Sequence, residues 1–355
     1  MKTTFLKNAF FVCVSLAVFA TAYTSCKPEE SDPGNTTVLN ALIDSSQTLA
    51  DAATTADYPQ ASITTFKAAL TVAKTAILDT KLSQTEIDNL VVSLRAAKAV
   101  FLASAYGAIP STALLMGLSF NEGTGTQLTA AGKGWTAVMK KGPSEIFGSA
   151  ATNFPSFITG KVGKAMYFSN GSHLEISDYT ANDLMGSALS IAVWVKPDST
   201  RGGNYIISYN YWNSWKFQLQ EQNKPFFTIH TNADGWVDAD NQADFSAPND
   251  VWTHLVVSLN MNTKILTFYV NGEVTMIWDA TTKTGLTGTG PFAYATTLPL
   301  MIGAATTYAE ALTWDWTWEH VPASWDGLIG ALDELKLYNI ALTEGQVSKM
   351  YNEEK

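Results

Sequence analysis

The run Trp314-Asp315-Trp316-Thr317-Trp318-Glu319-His320, with Trp325 just beyond it, is the densest aromatic cluster of the 355-residue chain. In an extended segment, alternation puts Trp314, Trp316 and Trp318 on one face and Asp315 and Glu319 elsewhere. Indoles in a row stack on the faces of sugar rings, and neighbouring carboxylates accept hydrogen bonds from hydroxyls. His320 is the one histidine whose neighbours suggest a binding role. A second group, Tyr209-Asn210-Tyr211-Trp212-Asn213-Ser214-Trp215, offers Trp212 and Trp215, and Trp236 is a third contributor. The opposing reading is packing, because an indole beside a long loop often closes the core beneath it. Both readings stand for Trp314, Trp316 and Trp318, whereas packing is favoured for Trp212 and Trp215. Trp194 and Trp252 lie inside strand patterns and read as core.

Catalytic signatures are sparse. The only cysteines are Cys13 and Cys26, so the chain beyond them has no thiolate chemistry and no Cys-ligated zinc. His173, His230, His254 and His320 include no i, i+4 pair, and His-Glu-x-x-His is absent. His254 reads as structural. Retaining glycoside hydrolysis needs two carboxyls on one strand face, roughly 5 Å apart. Glu221 stands alone. Asp238, Asp240 and Asp244 fall in a stretch read as an exposed loop, and Asp333-Glu334 are adjacent, so a strand points them to opposite faces. No nucleophile elbow is present. A non-catalytic role is expected, with a glycoside hydrolase as the lesser alternative. The net charge of −10, about −12 once Lys2 and Lys7 are removed with a leader, argues against nucleic acid, whose binding needs Lys and Arg.

The elements that would position these residues fall into segments. Residues 1–25 carry two lysines and a short apolar run, too short to span a bilayer that needs roughly twenty residues. Residues 26–37, with Pro28, Pro33 and Gly34, read as a solvated tether. Residues 38–106 predict three amphipathic helices: Leu39, Leu42, Ile43 and Leu49; then Ile63, Phe66, Leu70, Ala73 and Ile77; then Ile87, Leu90, Val91, Leu94, Ala97 and Phe101. Ser83-Gln84-Thr85-Glu86 is a capping box opening the third. Short joints imply a small antiparallel bundle. From residue 113 to 355 the period changes to two. Leu189, Ile191, Val193 and Val195 form one run, Leu255, Val257 and Leu259 a second, and Leu266, Phe268 and Val270 a third. Asn271-Gly272 is a tight hairpin turn. The fold class expected is mainly β, a two-sheet antiparallel jelly-roll sandwich preceded by a three-helix bundle.

Three resemblances add to this. Thr21-Ala22-Tyr23-Thr24-Ser25-Cys26 resembles a bacterial lipobox, and Lys27-Pro28-Glu29-Glu30-Ser31-Asp32 resembles the export tag of Bacteroidetes surface lipoproteins. This implies lipidation of Cys26 and an anchor in the outer membrane facing the exterior. Tyr58-Pro59-x-x-Ser62, Phe66-Lys67-Ala68-Ala69-Leu70-x-x-Ala73 and Ser83-Gln84-x-Glu86-Ile87-Asp88 resemble the FIVAR spacer module. The pieces Leu115–Gly125, Gly163–Phe168, Ser190–Pro197, Trp252–Ser258 and Gly330-Ala331-Leu332-Asp333-Glu334-Leu335-Lys336-Leu337-Tyr338-Asn339 resemble laminin-G-like, concanavalin A-like domains over nearly all of the C-terminal two thirds.

That last resemblance implies fold more than activity. It also implies calcium between the first strand's loop and the closing strand, at Asp333 with Asn121 and Glu122, oxygen ligands that calcium accepts. The alternative is that Asp333 caps a turn. Thr129–Gly134 lacks the aspartate that relatives often carry there. The function expected is a cell-surface glycan-binding lipoprotein with a polysaccharide ligand, working beside other surface glycan-uptake proteins. The alternative is a protein-binding adhesion module.

Overall fold

The computed structural model describes residues 34–55, 57–149, 153–233, 235–241, 245–288, 296–313 and 327–355. The leader, Cys26, most of the tether and the tryptophan run, with Trp314, Trp316, Trp318, His320 and Trp325, lie outside the described residues.

Three helices open the described chain: α1 (Thr37–Ala52), α2 (Gln60–Ala76) and α3 (Gln84–Ala103). Their apolar stripes meet in one cluster built on Leu39, Ile63, Phe66, Leu70, Ile87, Leu94 and Phe101. Phe101 lies between Phe66 and Tyr58, with ring centroids 4.6 and 4.1 Å away. The expected capping box is present: Ser83 Oγ accepts from Glu86 N–H, and the Glu86 carboxylate accepts from Ser83 N–H at 2.8 Å.

Strands follow. β1 (Leu114–Leu118), β2 (Gln127–Thr129), β3 (Ala131–Gly132), β4 (Thr136–Lys140), β5 (Ser156–Thr159), β6 (Lys164–Phe168) and β7 (His173–Ile176) begin the sandwich. β8 (Ala188–Pro197), β9 (Asn204–Tyr209), β10 (Trp215–Gln220), β11 (Lys224–Thr231) and β12 (Gly235–Asp240) come next. β13 (Thr253–Asn260), β14 (Ile265–Val270), β15 (Glu273–Asp279), β16 (Leu300–Ile302) and β17 (Gly330–Tyr338) complete it. Short helices α4 (Ser144–Phe147), α5 (Ala181–Leu184) and α6 (Tyr308–Ala311) interrupt the strands, and α7 (Glu344–Glu354) ends the chain.

The first sheet runs β15-β14-β13-β8-β17-β1-β3, with β6 also on β17 and β5 on β6; the second runs β12-β11-β10-β9-β16-β7-β4-β2. The closing strand thus lies between the opening strand and the central β8, and all pairings among the described residues are antiparallel. One core fills the space between the sheets, with Ile191, Val193, Leu255, Val257 and Phe268 facing Ile207, Trp215, Phe217, Phe227 and Ile229. The Asn271-Gly272 turn has positive φ at both residues (+51° and +83°), as its hairpin requires. β8 is buried on both faces because α7 covers the outside of the first sheet, where Ala192, Val256, Tyr269, Tyr338, Val347 and Met350 form a separate cluster.

Two expectations need correction. Residues 235–240 form an edge strand rather than a loop, with Val237 and Ala239 turned to the core. Their small side chains hid the alternation. Trp252 is only partly buried and lies outside the main core, under Lys196 Nζ at 5.6 Å from its ring.

Candidate functional site

The outer face of β10, β11 and β12 gathers a set of polar and aromatic side chains. Register sets the rows: Lys216 pairs with Thr228, which pairs with Asp238; Gln218 pairs with Phe226, which pairs with Asp240; His230 pairs with Trp236. Strand parity puts Trp215, Phe217 and Leu219 inward and Lys216 and Gln218 outward.

Trp236 is 53% exposed. Its ring stacks on His230 with centroids 4.9 Å apart and planes 9° from parallel. Its indole N–H donates to the carbonyl of Trp212. One ring face is therefore supported, one edge is pinned, and more than half of the surface meets solvent. Beside it, Asp238 is exposed and accepts from Thr228 Oγ1 at 2.7 Å, while Asp240 pairs with Lys224 Nζ at 2.8 Å.

On the same face Lys216, only 1% exposed, lies against four rings: Trp212 at 3.8 Å, Phe226 at 5.0 Å, Tyr211 at 5.3 Å and Tyr205 at 5.6 Å. Its ammonium also donates to Gln218 Oε1. The rings' negative faces attract the cation, and desolvation strengthens that attraction. The Tyr205 and Tyr211 hydroxyls share a hydrogen bond of 2.8 Å. The turn carrying Tyr211 and Trp212 is strained, with φ of +54° at Asn210 and +51° at Tyr211, and Tyr211 N–H is held by Ser208 Oγ. Trp212 follows this turn, with its ring against Lys216 Nζ.

Trp215 is corrected out of the site. It is fully buried in the core, and its N–H donates to Leu184 O at 3.1 Å. Trp212 is partly buried and serves as a wall of the lysine cage. The structure brings Trp212 and Trp236 together through the bond just described. For Trp314, Trp316, Trp318, Trp325 and His320 only the flanks are described: Ala304 bridges Gly327, and Ala305 packs against Tyr205 and Tyr211. The sequence reading missed Lys216, His230, Thr228 and the same-face placement of Asp238 and Asp240. The signal available was the inward Val237 and Ala239, which fix the parity of the strand.

The oxygens expected to hold calcium are used differently. Asp333 is fully buried; Oδ2 accepts from Val162 N–H and Oδ1 from Glu334 N–H, both at 2.8 Å. Asn121 Oδ1 accepts from Lys164 N–H at 2.8 Å, and Glu122 is exposed. Backbone donors point at the Asp333 and Asn121 oxygens, though not at Glu122, so as arranged the three do not fit a cation; no group of three or more His, Cys, Asp or Glu suited to a metal occurs among the described residues. Burial, helped by the neighbouring Glu334 charge, pushes the Asp333 carboxyl up to about 6.

The family comparison agrees with this architecture. The sequence model of the concanavalin A-like lectin/glucanases superfamily, in its Laminin_G_3 form, matches residues 168–348, and the chain belongs to that superfamily. No curated protein matches. Among solved structures, domain 4 of AbnA, an extracellular arabinanase from Geobacillus stearothermophilus, in complex with arabinotriose, is similar at 16% identity and TM-score 0.44, covering 67% of this chain and 98% of that one. The binding domain of Paraclostridial Mosquitocidal Protein 1 is similar at 14% identity and TM-score 0.44, over 68% of this chain. The binding domain of botulinum neurotoxin DC, in complex with rat synaptotagmin II, is similar at 13% identity and TM-score 0.41, over 69%. This chain spans about half, 52%, of each of the two toxin domains.

Proposed function

We propose that the outer face of β10, β11 and β12 binds a glycan without cleaving it, in a lipid-anchored protein of the outer membrane that faces the cell exterior. The observation that carries this reading is Trp236: an exposed indole stiffened by His230 and tied to Trp212, next to Asp238, Thr228, Asp240 and Lys224. Stacking on a supported indole costs little ordering, and hydroxyls of the ligand find both acceptors and donors alongside. Trp314, Trp316, Trp318 and Trp325 belong to this proposal as a second group of stacking rings, with His320 beside them. The test is calorimetry or affinity electrophoresis against a polysaccharide panel; a protein that retains a glycan equally well after Trp236→Ala and Trp316→Ala does not use these rings.

A hydrolase is the second reading, because Asp238 and Asp240 share one strand face. A general acid needs a carboxyl held protonated by an apolar pocket. Asp238 is exposed and Asp240 is engaged by Lys224, which favours binding over bond cleavage. Release of reducing sugar by the purified protein, lost in Asp238→Asn, would reverse that choice.

In this proposal the FIVAR-like bundle is a spacer. Gly34 N–H bonds to Leu82 O and Asn35 N–H to Gln84 Oε1, so the chain comes in at the start of α3. At the far end Tyr106 N–H bonds to Asp57 O, and Lys349 of α7 reaches Asp57 at 3.4 Å. The length of α3, about 30 Å at 1.5 Å per residue, separates the two ends. Lipid on Cys26 would anchor the near end, and the proposed partners are other surface proteins of glycan uptake.

A further inference from the structure

Asp333 sits where the closing strand, the β5–β6 hairpin and the loop after β1 meet. β17 is irregular at this point: its pairing with β8 shifts register between Asp333 and Lys336, and Glu334 takes φ of +48°. A bulge of this kind re-aims one side chain, and here it accompanies a carboxylate buried against the hairpin turn. Val162 N–H donates to Oδ2 from that turn, and Glu334 N–H donates to Oδ1. From the other side, Lys164 N–H donates to Asn121 Oδ1. One short turn is thereby fastened both to β17 and to the loop that follows β1.

Two glycines permit this approach. A Cβ on Gly160 would lie 2.5 Å from Asp333 Oδ2. A Cβ on Gly163, whose φ is +67°, would run into Asn121 Oδ1. Successive backbone N–H groups form a concavity that suits an anion. The buried carboxylate fills it. A calcium ion approaching these oxygens would compete with the donors already on them and would face the positive ends of the N–H dipoles.

We infer that the Gly160–Lys164 turn does the bracing that a calcium ion would do between the first strand's loop and the closing strand, and that this junction needs no divalent cation. The chain itself supplies the positive partner for Asp333.

Thermal melts of the full chain with EDTA, and with added Ca²⁺, test this. A cation that binds the native state raises its melting temperature. The expected result is the same midpoint in both conditions. Gly160→Ala is expected to lower the midpoint by about 2–4 °C or more, the response of a domain of this size to one lost interaction, with no rescue by Ca²⁺. Should Gly160→Ala fail to fold, Asn121→Ala, at an exposed residue, is expected to give a smaller drop that is equally insensitive to Ca²⁺. A midpoint that rises with Ca²⁺ and falls with EDTA overturns the inference, as does an unchanged midpoint in Asn121→Ala.

Discussion

Two tryptophans twenty-one positions apart show how much one side chain's surroundings decide. Trp236 keeps one ring face on His230 and offers the rest to water, whereas Trp215 donates its N–H into the core. Trp236→Ala is expected to weaken glycan affinity about tenfold, the effect of losing ~1.4 kcal/mol of stacking, with an unchanged melting temperature. Trp215→Ala is expected to cost about 3–5 kcal/mol in chemical denaturation, as other large-to-small core changes do. His254 makes a different prediction. It is 1% exposed, its ring nitrogens have no hydrogen-bond partner among the described residues, and burial, with Lys336 nearby, holds its pKa down to about 3. Its stabilising contribution is present above the unfolded value near 6.5 and is lost as pH falls towards 3, about 2 kcal/mol by pH 5. Asp333 acts in the opposite sense, since a raised carboxyl favours the fold below about 4 and loses that contribution as pH rises through 6. Urea denaturation of His254→Phe across pH 4–7 should lose the acid-side decline; a slope equal to the parent's would refute this account. None of these shifts was legible in the sequence, because burial depends on what the rest of the chain lays over a residue.

The C-terminal helix is the element that completes the first sheet. Val347 and Met350 lie on Ala192 and Val256, and Tyr351 stacks on Trp194 at 5.6 Å. Glu354 accepts from Trp194 Nε1 at 2.9 Å and pairs with Lys336, which also meets Glu334 at 2.8 Å. Burial alone would lower the Lys336 pKa, but the two carboxylates raise it to about 12, so the ammonium stays charged. Glu354→Ala removes one carboxylate and the indole's acceptor, and a loss of about 2 kcal/mol is expected in denaturation with urea. An unchanged midpoint would mean that the helix is held by its apolar face alone. The sequence reading did not identify α7, which opens on a capping box in which Thr343 Oγ1 accepts from Gln346 N–H. Its task was not readable, since nothing local to residues 344–354 names the strands it covers.

At the scale of the molecule, the bundle meets the sandwich through α7 and the chain after α3, on the side of the first sheet. Gln346 Nε2 donates to Ala108 O at 3.3 Å, and Tyr106 packs on Gly345. The Lys349–Asp57 pair is partly exposed and contributes little by itself. The proposed glycan face belongs to the other sheet. If the chain is anchored by lipid, Cys26→Ser should move it from the detergent phase to the aqueous phase in Triton X-114 partitioning without changing its glycan affinity. A protein that stays in the detergent phase has another anchor.

Periodicity, the Ser83 capping box and the Asn271-Gly272 turn are local, so the sequence by itself determined three helices, an antiparallel sandwich and the strands around residues 189–195, 255–259 and 266–270. Tertiary structure decided which indoles face water, because strand parity separates Trp215 from Lys216 by a single residue and register then brings Thr228 and Asp238 alongside. It also decided the work of Asp333: a carboxylate and a ring of N–H groups found each other across 171 positions of chain, a distance at which spacing carries no information.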